Sequence, residues 1–238
     1  HGRCVTLLGL TARGLFRRPF DGRAIATQVV RVGIEGLPVV LLTAVFTGAV
    51  LALQTYTGFK RFHAEAWVGS VVALSMLREL APVLTGLMVA GRSGSAMAAE
   101  IGSMRVTEQI DALVSLATDP VQYLFVPRIL AGMIVVPMLV VLANAFGIAG
   151  GYLVAVRLLG ANPVVYVENT FQFLSLDDLW SGLVKAAVFG LLLTLIGCQQ
   201  GFHTTGGAEG VGRSTTAAVV LGSLAILVSD FFLTKVLF

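Results

Sequence analysis

The feature that most restricts how this chain can fold is the length of its uncharged apolar runs. No Asp, Glu, Lys or Arg occurs from Gly36 to Phe59, or from Ile129 to Val156. At about 1.5 Å per helical residue, each run is long enough to cross a hydrocarbon core of roughly 30 Å. Hydrocarbon offers no water to satisfy backbone N–H and C=O groups. An isolated strand of this length would leave them unpaired, whereas a helix pairs them internally. An all-α integral membrane fold is the expectation. Composition agrees, with 56% of 238 residues hydrophobic, 12% charged and a mean hydropathy of +0.89, against about a quarter charged in soluble domains.

Five spans are predicted, at approximately 32–56, 66–91, 129–156, 179–200 and 215–237, forming one polytopic domain over 32–238. The second span is unusual. Twelve uncharged residues (Ala66 to Leu77) precede Arg78 and Glu79, and twelve more (Leu80 to Gly91) follow. Both charges then fall near mid-membrane, where each costs several kcal/mol unless paired or wetted. Adjacent helix positions point about 100° apart, so the two need not pair with each other. Two readings stand: charges satisfied inside the bundle for structural reasons, or a polar patch in a cavity that meets a lipid head group. Asp230 carries the same ambiguity, though its place near the end of the last span favours contact with water. Gly86, Ala90, Gly94, Ala98 and Gly102 place a small residue at every fourth position, which lets another helix approach closely. Gly147 and Gly151 are a second packing pair.

Ser103 to Thr118 sets Ile110, Leu113, Val114 and Ala117 on one helical face and Arg105, Glu108, Asp111 and Ser115 on others. It is too short and polar to cross a membrane. It reads either as an interfacial connector or as a coupling helix whose apolar face seats in a groove of a cytoplasmic ATPase. In residues 1–31, Leu8, Ala12, Leu15 and Phe16 share a face among Arg3, Arg13, Arg17 and Arg18, as in an amphipathic helix lying in the membrane interface. A loose basic tail is the alternative. The stretch from Arg157 to Trp180, with Glu168, Asp177 and Asp178, reads as a longer loop or a short surface helix.

Orientation follows from Lys and Arg. With the N-terminus inside, inner segments carry ten of these residues and outer segments five, which favours a cytoplasmic N-terminus and a cytoplasmic 103–118 segment. The net charge of +3 comes without a basic run interleaved with aromatics, so an anionic lipid surface is a better partner than nucleic acid. Cys4 and Cys198 suggest neither a disulfide nor a metal site. No cleavable signal peptide is expected.

Two short motifs invite stronger readings and lose them. Gly207 to Ser214, GAEGVGRS, nearly fits the phosphate-binding loop, with Arg213 in place of Lys. That loop must leave a strand and enter a helix of a soluble domain, and here it lies between spans. Any ATP that drives this protein would be bound by another chain. Gly91 to Gly94, GRSG, matches the G-x-S-G of rhomboid-type intramembrane serine proteases. Such a protease also needs a His inside a later span, whereas His63 and His203 fall in loops. No catalytic residue is therefore expected. A secondary transporter or channel working without ATP is the other class, disfavoured by the 103–118 segment and by the lack of a second charged span for ion coupling.

LRELAPVLTGLMVAGRSGSAMAAEIGSMRVTEQIDAL, from Leu77 to Leu113, closely resembles the signature of the MlaE/YrbE-type permeases of ABC transporters. The resemblance continues in LATDPVQYLFVPRILAG, in GIAGG of the third span and in GVGRSTTAAVV of the last loop. It implies a homodimer of five-span subunits in the bacterial inner membrane, each with an N-terminal interfacial helix. It also implies a cytoplasmic ATP-binding subunit holding ATP and Mg, a periplasmic MCE-domain lipid carrier and, in many systems, a STAS-domain protein. The implied activity is phospholipid movement between the inner membrane and the outer-membrane side. By resemblance, Arg78 and Glu79 match the family's charged pair, and Gln54, Tyr56 and Phe62 lie around the outer mouth of its cavity. Arg105, Glu108, Gln109 and Asp111 fall in the segment that meets the ATPase.

Overall fold

The computed structural model describes residues 22–237, which form helices joined by short turns, with no strand among them. The order is α1 (Gly22–Lys60), α2 (Glu65–Val106), α3 (Gln109–Ser115), α4 (Val121–Leu158), α5 (Pro163–Gln172), α6 (Leu176–Phe202) and α7 (Gly207–Leu237). Five of them, α1, α2, α4, α6 and α7, are long and apolar enough to cross a membrane. Each runs past the apolar stretch that marks it in the sequence. Lipid sets where apolar residues are needed, but backbone hydrogen bonding continues until a turn breaks it. At the start of α1, for example, Arg31 and Glu35 face each other one turn apart at 3.8 Å, so charged residues extend the helix. The interfacial helix expected in residues 1–31 lies outside the described residues up to 21, and 22–31 belong to α1.

Two of the helices change winding. α2 has wider π turns at Met76–Leu80 and Ala90–Gly94, and α4 has them at Val121–Phe125 and Val154–Leu158. Such bulges redirect side chains and recur at functional sites. The first bulge carries Arg78 and Glu79.

Contacts divide the chain into two compact units. Among described residues, one comprises 22–36, 86–136 and 187–236, and the other 37–85 and 137–186 with Leu237. In the first, the small-residue stripe of α2 seats two helices. Ala90 meets Gly222 of α7, while Gly94 and Ala98 meet Gly197 and Gly201 of α6. Gly132 of α4 lies so close to Gly190 of α6 that a Cβ on either would overlap the other's backbone carbonyl. In the second unit, α1 crosses α4 with Gly48 against the Gly147 carbonyl, and Met76 of α2 covers Gly147. Without hydrophobic drive between helices in lipid, such backbone-to-backbone approach supplies the packing. α5 is held against the start of α2: Ser70 Oγ donates to the Asn169 carbonyl at 2.9 Å, and Asn169 Nδ2 donates to the Ala66 carbonyl at 2.8 Å.

The segment 103–118 is not one helix. α2 continues to Val106, Glu108 takes a left-handed conformation (φ 60°), and α3 covers only Gln109–Ser115 before Ala117 turns left-handed at φ 56°. Ile110 is buried, whereas Val114 and Leu116 are exposed, so the apolar face is split between the protein interior and the surface.

Candidate functional site

The second unit answers how charge is tolerated within α2. Ser175, Leu176, Asp177 and Asp178 form a capping box at the start of α6. The Ser175 N–H donates to Asp178 Oδ2 at 3.0 Å, and the Asp178 N–H points back to Ser175 Oγ at 3.3 Å. Ser175 Oγ donates to Oδ2 as well, at 2.8 Å. A cap of this kind satisfies helix N–H groups that otherwise lack partners. It also locks the carboxylate, whose other oxygen, Oδ1, accepts from both Nε and Nη2 of Arg78 at 2.6 Å. Seven residues on, two turns along the same face, Lys185 Nζ donates to Glu79 Oε1 at 2.8 Å and to the Arg78 carbonyl at 3.0 Å.

Burial is unequal within each pair. The Asp178 and Lys185 side chains are 3% and 0% exposed, whereas those of Arg78 and Glu79 are 42% and 38% exposed. The anchors are inside and the partly exposed ends face outward. Sequence places Asp178 in a longer loop or short surface helix and counts Lys185 with the outer-segment charges; the structure makes both the α6 partners of the α2 pair. The S-x-x-D spacing at 175–178 was the signal that could have revealed the first of them.

A second charged cluster lies in the first unit and was not singled out from sequence. Glu100 of α2 accepts from Arg31 Nη1 of α1 at 2.6 Å with one carboxylate oxygen, and from Arg128 Nη2 of α4 at 2.8 Å with the other. Arg128 is 8% exposed at its side chain and also donates to the Leu124 carbonyl at 2.8 Å. One acid thus ties three helices.

The other residues drawn from the resemblance fall elsewhere. Gln54 is exposed, and Phe62 lies 80% exposed in the turn after α1. Tyr56 is half-buried and lines a cleft with Glu65, Asn162 and Tyr166. Arg105 reaches from α2 to Asp111 of α3 at 2.6 Å, and its guanidinium also lies 6.0 Å from the Phe202 ring centroid. Gln109 Nε2 donates to Thr107 Oγ1 at 3.0 Å, and Glu108 occupies the left-handed hinge. Residues 207–214 open helix α7, without the strand a phosphate loop requires. Among the described residues no group of three or more His, Cys, Asp or Glu could hold a metal.

Five helices long and apolar enough to cross a membrane, with charge pairs seated between them, define a multi-pass membrane protein. Residues 25–236 match the family described as Permease MlaE, and the chain belongs to that family. It is 52% identical to a probable ABC transporter permease protein of Rickettsia typhi over 224 residues, covering 94% of this chain and 86% of that one. It is 41% identical to the intermembrane phospholipid transport system permease protein MlaE of Haemophilus influenzae over 209 residues, covering 87% and 79%. A chloroplastic relative, TRIGALACTOSYLDIACYLGLYCEROL 1 of Arabidopsis thaliana, is 39% identical over 211 residues, covering 89% and 60%.

Proposed function

We propose that this chain is the membrane-spanning subunit of an ABC transporter that moves phospholipids between the bacterial inner membrane and its periplasmic side. In this reading it acts as a homodimer with a cytoplasmic N-terminus, and a separate cytoplasmic subunit binds ATP and Mg and hydrolyses the nucleotide. A periplasmic MCE-domain protein receives or delivers the lipid, and a STAS-domain protein joins the cytoplasmic side. The observation that carries the reading is the half-exposed Arg78 and Glu79, held within an otherwise apolar span by the buried Asp178 and Lys185. Intramembrane charge maintained this way is a functional signal. A guanidinium fixed on one side by a carboxylate presents a planar donor fork suited to a lipid phosphate, while apolar walls accept acyl chains.

The coupling role falls to α3 and the hinge before it. Val114 and Leu116 are exposed and offer an apolar surface to the ATPase. Arg105, Glu108, Gln109 and Asp111 shape the turn that carries force into α2. The reading is tested by reconstituting the chain with its co-purifying ATP-binding subunit and following lipid transfer between vesicles. Arg78→Ala is expected to reduce ATP-dependent transfer several-fold while co-purification is retained. Equal transfer by the variant, or transfer in the absence of the nucleotide-binding subunit, would reject it.

A further inference from the structure

Between the turn after α1 and the loop before α5, the second unit holds a cleft of about 240 Å³, lined among others by Tyr56, Glu65, Asn162 and Tyr166. Sites that enclose whole drug-sized molecules are larger, so this one suits a single small group. The elements that carry its lining are tied together. Asn169 of α5 donates to the carbonyl of Ala66 at 2.8 Å, next to Glu65, and Trp67 packs on Phe173 with ring centroids 5.0 Å apart. The Asn162 side-chain oxygen is committed to the N–H groups of Val164 and Val165 at 3.0 and 3.4 Å.

That leaves Glu65 as the charged acceptor of the cleft, with no basic side chain in the lining. Among the described residues its carboxylate makes no hydrogen bond or salt bridge. Lys60, Arg61 and His63 sit on the turn just before Glu65 but outside the lining; a carboxylate that shares a lining with tyrosine side chains and no basic one is an environment that recognises organic ammonium groups.

We propose that this cleft binds an ammonium group, with Glu65 as its counter-ion and the half-buried Tyr56 ring as its aromatic wall, while the buried Tyr166 closes the floor. The ligand is either a small free amine or the amino head of a phospholipid. Only the second source rests on the lipid-permease reading.

The purified protein in phosphatidylglycerol nanodiscs is titrated with choline. In parallel, the lipids it retains from equimolar phosphatidylethanolamine and phosphatidylglycerol are measured by mass spectrometry. Glu65→Gln is expected to weaken choline binding on the order of tenfold, and Tyr56→Leu about fivefold, with Tyr56→Phe close to wild type. Enrichment of phosphatidylethanolamine that disappears in Glu65→Gln assigns the ligand to the lipid. Glu65-dependent choline binding without that enrichment assigns it to a soluble amine. If neither signal depends on Glu65 or on the Tyr56 ring, the proposal is overturned. Should reconstituted lipid transfer fail while choline binding persists, the permease reading falls and the ammonium site stands.

Discussion

Replacing Glu100 with Gln removes one charge from a three-helix clamp, and the loss can be sized from who is left behind. Arg128 is 8% exposed at its side chain and would lose its only charged partner, keeping its hydrogen bond to the Leu124 carbonyl, while its Nε already has no partner among the described residues. Breaking a buried ion pair from one side costs about 3–5 kcal/mol, because the remaining charge is desolvated without compensation. A Gln oxygen still accepts one hydrogen bond, so the lower end, about 3 kcal/mol, is expected. Arg31 behaves differently. At 45% exposure its guanidinium reaches solvent on its own, and Arg31→Gln should cost under about 1 kcal/mol. Removing both charges of the pair in Glu100→Gln/Arg128→Met should recover at least half of the single-mutant loss, because the buried Arg128 charge is no longer left without its partner. Thermal unfolding of the purified protein in nanodiscs reads the series, with an expected drop on the order of 10 °C for Glu100→Gln. Equal losses for Glu100→Gln and Arg31→Gln, or additive losses in the double variant, would refute the clamp.

Three further outcomes follow from local geometry. Gly48→Ala would drive a methyl into the Gly147 carbonyl, so the helices must separate, and a loss of about 1–3 kcal/mol is expected by the same unfolding assay; wild-type stability would mean that the α1–α4 crossing is looser than described. Glu108→Gly relieves a left-handed backbone at φ 60° and should be neutral or slightly stabilising, whereas Glu108→Val should destabilise by about 1–2 kcal/mol; matching unfolding curves for the two variants would contradict the strained hinge. The Tyr166 hydroxyl is buried without a hydrogen-bond partner among the described residues, so Tyr166→Phe should gain about 1 kcal/mol near neutral pH. Because burial raises the folded-state value to about 12, this group's contribution is intact below the ordinary phenol value near 10 and is lost as pH rises toward 12. Unfolding profiles over that window should be flatter in Tyr166→Phe, and identical alkaline profiles would remove Tyr166 as the cause.

How far the sequence could be read depended on whether the information was local. The uncharged run from Ile129 to Val156 identifies α4 without any neighbour, because length and apolarity alone decide what hydrocarbon tolerates. The fourfold repeat from Gly86 to Gly102 likewise marks a packing face, though not that it would receive both α6 and α7. The segment 103–118 misled, because its apolar spacing suggests one continuous helix while Glu108 breaks the winding. That break is stabilised by surroundings such as the Arg105–Asp111 bridge at 2.6 Å, which periodicity does not encode. Glu100, seated between Arg31 and Arg128, carried no local signature.

The chain's own order of residues determined that it crosses a membrane as helices, that a charged pair interrupts the second of them, and that it belongs with the MlaE permeases. Those properties rest on backbone hydrogen bonding in lipid and on long local motifs. Tertiary structure decided what the charges mean. Asp178 and Lys185 lie about a hundred residues beyond Arg78 and Glu79, and only the packing of α6 on α2 brings opposite charges within hydrogen-bond distance and fixes which member of each pair is buried.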